Sequence, residues 1–183
     1  MTPDTRWVQT GYELFAADGP RGIKVELVSK KVGVSKSSFY HNFKNPENFI
    51  DLILIEHIER VRTISVKEKN CNRIDPDLIS ILLAHKTDLL FHRQLRIHRH
   101  EERYARCMNR ADSIVTPGFI SVWRRDLRLS LPEKEWNRLL DLAIENFYMQ
   151  LTDSTLTFAW LSEYFSSLRK TLVSLASPEL LVR

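Results

Sequence analysis

Apolar residues recur along this chain at three- and four-residue intervals, the spacing of helices packed on one face, while the alternation of a strand is scarce. The first such stretch carries Trp7, Val8, Gly11, Leu14 and Phe15 and stops at Asp18-Gly19-Pro20, where glycine favours a left-handed cap and proline forbids continuation. The second sets Val25, Val28 and Val32 on one stripe. Gly33 supplies a turn, Ser35 offers an N-cap, and Phe39 and Phe43 face inward from a short third helix. Asn45-Pro46 opens a long fourth one. Thr2-Pro3, Asp75-Pro76 and Thr116-Pro117 each read as an N-cap followed by a first-turn proline, whose missing N–H costs nothing there. Ser130-Leu131-Pro132-Glu133 reads as a capping box, Asp153 as the cap of a last helix, and Ser177-Pro178 as its end. The pattern predicts helices near 3–17, 24–32, 36–43, 46–68, 76–93, 94–112, 117–129, 131–151 and 154–176. The predicted fold is all-α: an N-terminal three-helix helix-turn-helix domain over 1–45, then a larger helical domain over 46–183.

Two helices joined by a tight glycine turn form the unit that lays a helix in the DNA major groove. With Phe39 and Phe43 turned inward, Lys36, Ser37, Tyr40 and His41 occupy the open side of the third helix, and Ser38 its edge. Hydroxyls meet base edges or phosphates, and lysine neutralises phosphate. That surface suits a groove.

Further on, the predicted helices 131–151 and 154–176 are apolar over more than one face. A helix with a single buried side needs only a stripe, so these two are expected to pack against their own core and against a second copy. Trp136, Leu140, Phe147, Trp160, Leu161, Phe165 and Leu168 are the candidate dimer-interface residues. Arg96, Arg99, Arg103, Arg106 and Arg110 form a stripe if 94–112 is one helix; most of it reads as a solvated face, with Glu102 placed to pair with Arg106. Arg99 or Arg103 is the candidate to reach an acidic effector or the N-terminal module. A small-molecule pocket is expected among helices 76–129, lined by Leu83, Phe91, Arg99, Arg103, Tyr104, Phe119 and Trp123.

Composition narrows the classes. Hydrophobic residues make up 43% and charged residues 27%, the balance of a globular protein, and no apolar run reaches the roughly 18 residues of a membrane span. A cytoplasmic location and no membrane partner are expected. The formal charge of +4 permits nucleic-acid binding without requiring it. Cys71 and Cys107 form neither a disulfide framework nor a zinc spacing. His85 and His92 share a helical face but lack a third ligand, while His98 and His100 would point to different faces of a helix, so no metal and no cofactor are expected. No nucleophile–base arrangement, phosphate loop or carboxylate pair stands out, and no catalytic residue is assigned.

The stretch from Trp7 to Phe49 resembles the N-terminal domain of TetR/AcrR-family transcriptional regulators. The matching pieces are Leu14-Phe15-x-x-x-Gly19, Val25-x-x-Val28-Ser29, Gly33-Val34-Ser35, Phe39-Tyr40-x-Asn42-Phe43 and Glu47-x-Phe49. The resemblance implies an all-helical homodimer that binds double-stranded operator DNA as a repressor and is released by a small-molecule effector held in the second domain. The chain departs from the family at Lys24, where threonine is usual, at Asn42, where histidine is usual, and at Pro46, where a phosphate-contacting lysine is usual. Lys44 or Lys24 stands in for that lysine. The DNA-contacting set is then Lys24, Ser35, Lys36, Ser37, Ser38, Tyr40, His41 and Lys44. The alternative is a helical small-molecule-binding protein or a protein–protein adaptor whose DNA-binding module is non-functional.

Overall fold

The structure is a computed structural model that describes residues 5–127 and 132–176. Among the described residues it is all-α, without a strand. The elements are α1 (Thr5–Asp18), a short 3-10 turn (Gly19–Gly22), α2 (Val25–Val32), α3 (Lys36–Asn42), α4 (Pro46–Lys69), a single wide turn (Ile74–Leu78), α5 (Ile79–Ala84), α6 (Lys86–Ile97), α7 (Glu102–Leu127), α8 (Glu133–Gln150) and α9 (Phe158–Ala176). No helix is long and apolar enough to cross a membrane among those residues.

Packing divides the chain into two compact units. The first comprises residues 1–63 and 87–114, the second 64–86 and 115–183. This division is separate from the division by role expected at residues 45 and 46. The first unit's core is aromatic, with Trp7, Tyr12, Phe15, Phe39, Phe43, Phe49, Phe91 and Tyr104 all buried. The second is built on Leu78, Ile79, Trp123, Trp136, Leu151, Leu161 and Phe165.

Three predicted boundaries are corrected. The helix expected from 76 to 93 is interrupted at His85, and the next break falls at residues 98–101, not at 93. Neither place carries a glycine or proline, so local chemistry gave no signal. Second, α7 runs unbroken from Glu102 to Leu127 with Pro117 inside it, where Thr116-Pro117 was expected to begin a helix. An interior proline costs about 3 kcal/mol. The continuous helix buries Tyr104, Cys107 and Ala111 before the proline and Val122, Trp123 and Leu127 after it, a larger gain. Third, Asp75 and Asp153 are not caps. The Asp75-Pro76 peptide is cis, and Asp75 Oδ2 accepts from Ser162 Oγ at 2.6 Å. Asp77 instead takes the backbone N–H groups of Asn72 and Arg73, at 3.0 and 3.1 Å. At α9 the cap is Thr157, whose hydroxyl accepts from Trp160 N at 3.2 Å. The predicted signals at Thr2-Pro3, at Ser130-Leu131 and at Ser177-Pro178 lie outside the described residues.

On α4, positions 50, 54, 57, 61, 64 and 68 form one buried stripe: Ile50, Leu54, His57, Val61, Ile64 and Glu68. Two of the six are polar. Glu68 belongs to the second unit, and its Oε2 has no hydrogen-bond partner among the described residues. Gly118 closes over it; a Cβ there would lie 3.2 Å from Glu68 Cβ and 3.4 Å from Oε2. Burial pushes the Glu68 carboxyl from 4.5 up to about 8, so it is a neutral acid at pH 7. A folded-state value above the unfolded one means that the fold favours the protonated form. Its contribution to stability is complete below about pH 4.5 and is lost as pH rises through about 8. The substitution Glu68→Gln should therefore melt close to the parent at pH 5 and increasingly above it towards pH 9, by up to several kcal/mol. A melting difference that stays constant across that range would refute the buried neutral acid.

Candidate nucleic-acid interface

The rotation of α3 is set by aromatic packing. Trp7 of α1 meets Phe39 and Phe43 edge-on, each at 5.6 Å between ring centroids, and Phe49 of α4 meets the same two rings at 5.4 and 4.8 Å. Gly11 admits Phe49: a Cβ at that position would stand 2.4 Å from Phe49 Cζ. With Phe39 and Phe43 held inward, the opposite side of α3 must face out.

The turn before α3 has the local chemistry its sequence predicts. Gly33 adopts φ 82°, a left-handed conformation that favours glycine, and its N–H bonds to Ser29 O and Lys30 O at 3.0 and 3.2 Å. Val34 N also bonds to Ser29 O, at 3.0 Å. Ser35 is the N-cap, its hydroxyl accepting from Ser38 N at 3.3 Å. Asn45 caps α4 in the same way, its side-chain oxygen accepting from Asn48 N at 2.9 Å.

Of the residues expected to touch DNA, Lys24, Ser35, Lys36, Ser37, Tyr40, His41 and Lys44 are exposed and Ser38 is half-buried. Tyr40 is 54% exposed, beside the buried Phe39. Three of the set have other engagements, Ser38 through its hydroxyl 3.1 Å from that of Ser35. The Ser35 hydroxyl is spent on the cap, and Lys36 Nζ pairs with Glu26 Oε1 at 2.6 Å, both on the surface. Glu26 is held below the usual carboxylate range by that hydrogen bond, first of all. Asn42 serves structure, donating to Ser38 O at 2.8 Å. Lys24 precedes α2 in extended backbone and makes no side-chain cap.

Behind this surface runs a buried polar chain that the sequence did not announce. The Tyr12 hydroxyl donates to Asp88 Oδ1 at 2.8 Å and lies 2.7 Å from His57 Nδ1. Its single proton is committed to Asp88, so His57 Nδ1–H must donate to Tyr12. Burial, followed by the neighbouring His92 and Arg60, holds His57 well below its ordinary value, so it is neutral with Nε2 as an acceptor. That nitrogen is 3.3 Å from His92 Nδ1. His92 Nε2 in turn stands 2.9 Å from Asp112 Oδ1, and Arg96 grips both oxygens of Asp112 at 2.9 and 2.8 Å. The other end is closed by Arg60, which lies 4.2 Å over the Tyr12 ring, 3.7 Å from Asp88 and 2.7 Å from Glu56. The chain joins α1, α4, α6 and α7. The available sequence signal was His57, one of two polar residues on a mostly apolar stripe.

The residues expected to bind a ligand fall in both units. Phe91, Arg99, Arg103 and Tyr104 belong to the first unit; Leu83, Phe119 and Trp123 belong to the second. Phe91 is core, stacked on Tyr12 at 4.3 Å and His57 at 4.5 Å. The arginine stripe is broken, because Arg96 ends α6, Arg99 lies in the turn, and only Arg103, Arg106 and Arg110 share α7. Arg103 pairs with Glu47 at 2.6 Å and Asp51 at 3.6 Å, at the start of α4, and Arg106 pairs with Glu102. In the second unit Phe119 lies 5.2 Å from Trp123 and 6.5 Å from Phe165. Of the expected dimer residues, Trp136, Leu140, Phe147, Leu161 and Phe165 are buried within their own chain, while Trp160 and Leu168 are half-buried. The strongly exposed apolar residues of α8 are Leu142 and Met149, seven apart.

The Tyr12 hydroxyl is the joint of the polar chain. Replacing it by Tyr12→Phe keeps the ring stack but leaves Asp88 and the His57 N–H each short of a partner. Each such loss costs about 1–3 kcal/mol. Denaturant unfolding should show a loss of about 2–5 kcal/mol at neutral pH. A change below about 0.5 kcal/mol would show that the chain is not made.

Residues 8–51 match the family of bacterial regulatory proteins described as the tetR family. No curated protein sequence matches the chain. Among solved structures, the chain is similar to a transcriptional regulator ("TerR/AcrR family") from Aquifex aeolicus VF5, with 19% identity, a TM-score of 0.56, and coverage of 93% of this chain and 98% of that one. It is also similar to a protein assigned to the TetR family of transcriptional regulators from Mesorhizobium loti MAFF303099, with 13% identity, a TM-score of 0.54, and coverage of 93% and 95%. At those identities the likeness speaks for the fold, and the matched residues 8–51 speak for the recognition domain. The chain carries a tetR-family N-terminal domain on the all-α frame of TetR/AcrR-type transcriptional regulators.

Proposed function

We propose that this protein is a homodimeric, operator-binding transcriptional repressor that a small molecule releases from DNA. The observation that carries the reading is the exposed face of α3. A seven-residue helix buries Phe39 and turns Lys36, Ser37, Tyr40 and His41 outward, flanked by Lys44 and by Lys24 ahead of α2. That set is what groove reading and phosphate neutralisation require. Pro46 opens α4 without a side-chain donor, so Lys44 or Lys24 is the phosphate contact there.

Operator sites selected from random duplex DNA, followed by anisotropy titrations at several salt concentrations, test the reading. Tyr40→Ala should weaken the selected site by about 1–3 kcal/mol and relax its sequence preference. Lys36→Ala should weaken all sequences alike and shallow the salt slope by about one unit. Wild-type affinity in both variants would remove α3 as the reader and favour an adaptor role.

A twofold assembly supplies two recognition helices at the spacing of one DNA turn, roughly 34–36 Å. Support for it comes from α8 and α9, which leave Leu142, Met149, Phe158 and Val173 exposed. Between the two helices lies a groove of about 420 Å³ whose lining includes Trp160, Tyr164 and Leu168. Light scattering on the full chain should give twice 21.5 kDa. The double variant Leu142→Glu/Met149→Glu, which alters only exposed positions, should run as a folded monomer. A parent that is monomeric at micromolar concentration would exclude the assembly.

For the effector, support comes from the second unit. Trp123 is buried, yet its indole N–H has no hydrogen-bond partner among the described residues, and Leu83 and Phe119 are half-buried. A mostly apolar compound with a hydrogen-bond acceptor, such as a carboxylate, suits that donor. The expected ligand quenches tryptophan fluorescence and weakens operator binding in the same titration; ligands that bind without that loss would exclude release.

A further inference from the structure

The turn that joins α6 to α7 is short and tightly bonded. His98 N bonds to Gln94 O at 3.0 Å, Glu101 N to His98 O at 3.0 Å, and Tyr104 N and Ala105 N both to Glu101 O at 3.1 Å. A turn closed in this way swings the side chains of residues 98, 100 and 101 to one side. On a helix His98 and His100 would diverge. In the turn they converge: one ligating atom each from His98, His100 and Glu101 lies within 4.8 Å of the other two.

We propose that His98, His100 and Glu101 form a binding site for one divalent transition-metal ion of the zinc, cobalt or nickel class. The donor set decides the class. Two imidazoles and one carboxylate suit borderline ions, whereas calcium and magnesium require more oxygens. Three protein ligands also leave a coordination position for water. Tetrahedral bonds of 2.0–2.2 Å separate ligand atoms by about 3.3–3.5 Å, so closing from 4.8 Å needs only side-chain rotation. His100 and Glu101 are exposed.

His98 is the fixed member. Its ring is half-buried, edge-on to Tyr104 at 6.2 Å between centroids, and packed over the end of α1. A Cβ at Gly19, whose φ is 62°, would stand 2.8 Å from His98 Nε2 and 2.8 Å from Gln94 Oε1. Gln94 also donates to Ala17 O at 3.1 Å. Burial above all, and then His100 and Arg21, hold His98 below its ordinary value, with Glu101 opposing them. Arg21 is the cation that opposes an ion at the site, and Glu101 offsets it. Cys107 is not a ligand, since it is buried, sits against Leu54 O, and has its thiol pushed up to about 12.

The test uses the full chain without a histidine tag. Cobalt titration followed by its visible ligand-field bands, and zinc competition against a chromogenic chelator, should both show one ion per chain. His100→Gln and His98→Gln should each weaken uptake by at least about tenfold, no less than the loss caused by removing an outer-shell partner of a metal ligand. His41→Gln, on the exposed face of α3, should leave uptake unchanged. Metal should raise the melting temperature of the parent and not of His100→Gln, an exposed position whose change leaves the fold intact. Uptake below one ion per chain, or uptake indifferent to His100→Gln, would overturn the site.

Discussion

The orientation of α3 rests on Phe49. That ring sits at the start of α4, fills the space that Gly11 leaves open on α1, and touches both inward rings of α3. Trp7 closes the cluster from the other side. Aromatic contacts of this kind are directional as well as apolar, so they settle which way a short helix is turned. A seven-residue helix cannot hold itself in water. Its exposed side, with Tyr40 outermost among the large residues, is therefore a consequence of packing at its back.

A second constraint is polar and lies within the hydrophobic seam of α4. His57 and Glu68 occupy the same buried stripe as Ile50, Leu54, Val61 and Ile64, and the two are handled in opposite ways. His57 is fully partnered, between Tyr12 and His92, in a chain closed by Arg60 and Arg96 at its ends. Glu68 has one oxygen without a partner among the described residues and stays uncharged. A buried polar network makes one arrangement of helices better than its neighbours, because a shift of about 1 Å breaks several bonds together. A lone neutral acid makes its surroundings sensitive to pH instead.

The short turn at residues 98–101 adds a third element. It ends α6, starts α7 and presses His98 and Gln94 on the last residues of α1. Arg103, one turn into α7, reaches Glu47 and Asp51 at the start of α4. Both contacts fall on segments bordering the recognition helices, so this part of α6 and α7 bears directly on how the N-terminal domain is held.

Much of the fold was legible along the chain. Helical spacing of apolar residues, Gly33 in its left-handed turn, the Ser35 cap and the inward pair Phe39 and Phe43 are local, and local propensity and pattern determine them. They placed the helix-turn-helix, the long α4 and the exposed side of α3. Where the pattern misled, tertiary packing overrode a local preference. Pro117 lies inside α7 because burial on both sides of it outweighs the lost hydrogen bond, and Thr157 replaces Asp153 as a cap because α9 starts only at Phe158. The polar chain from Tyr12 to Asp112 and the convergence of His98, His100 and Glu101 depend on residues up to a hundred positions apart or on a break without glycine or proline. The sequence by itself determined helices, caps and the face of α3, since those follow from neighbours within about one turn. Only the tertiary structure decided which polar groups meet, because that depends on how separate helices are set against one another.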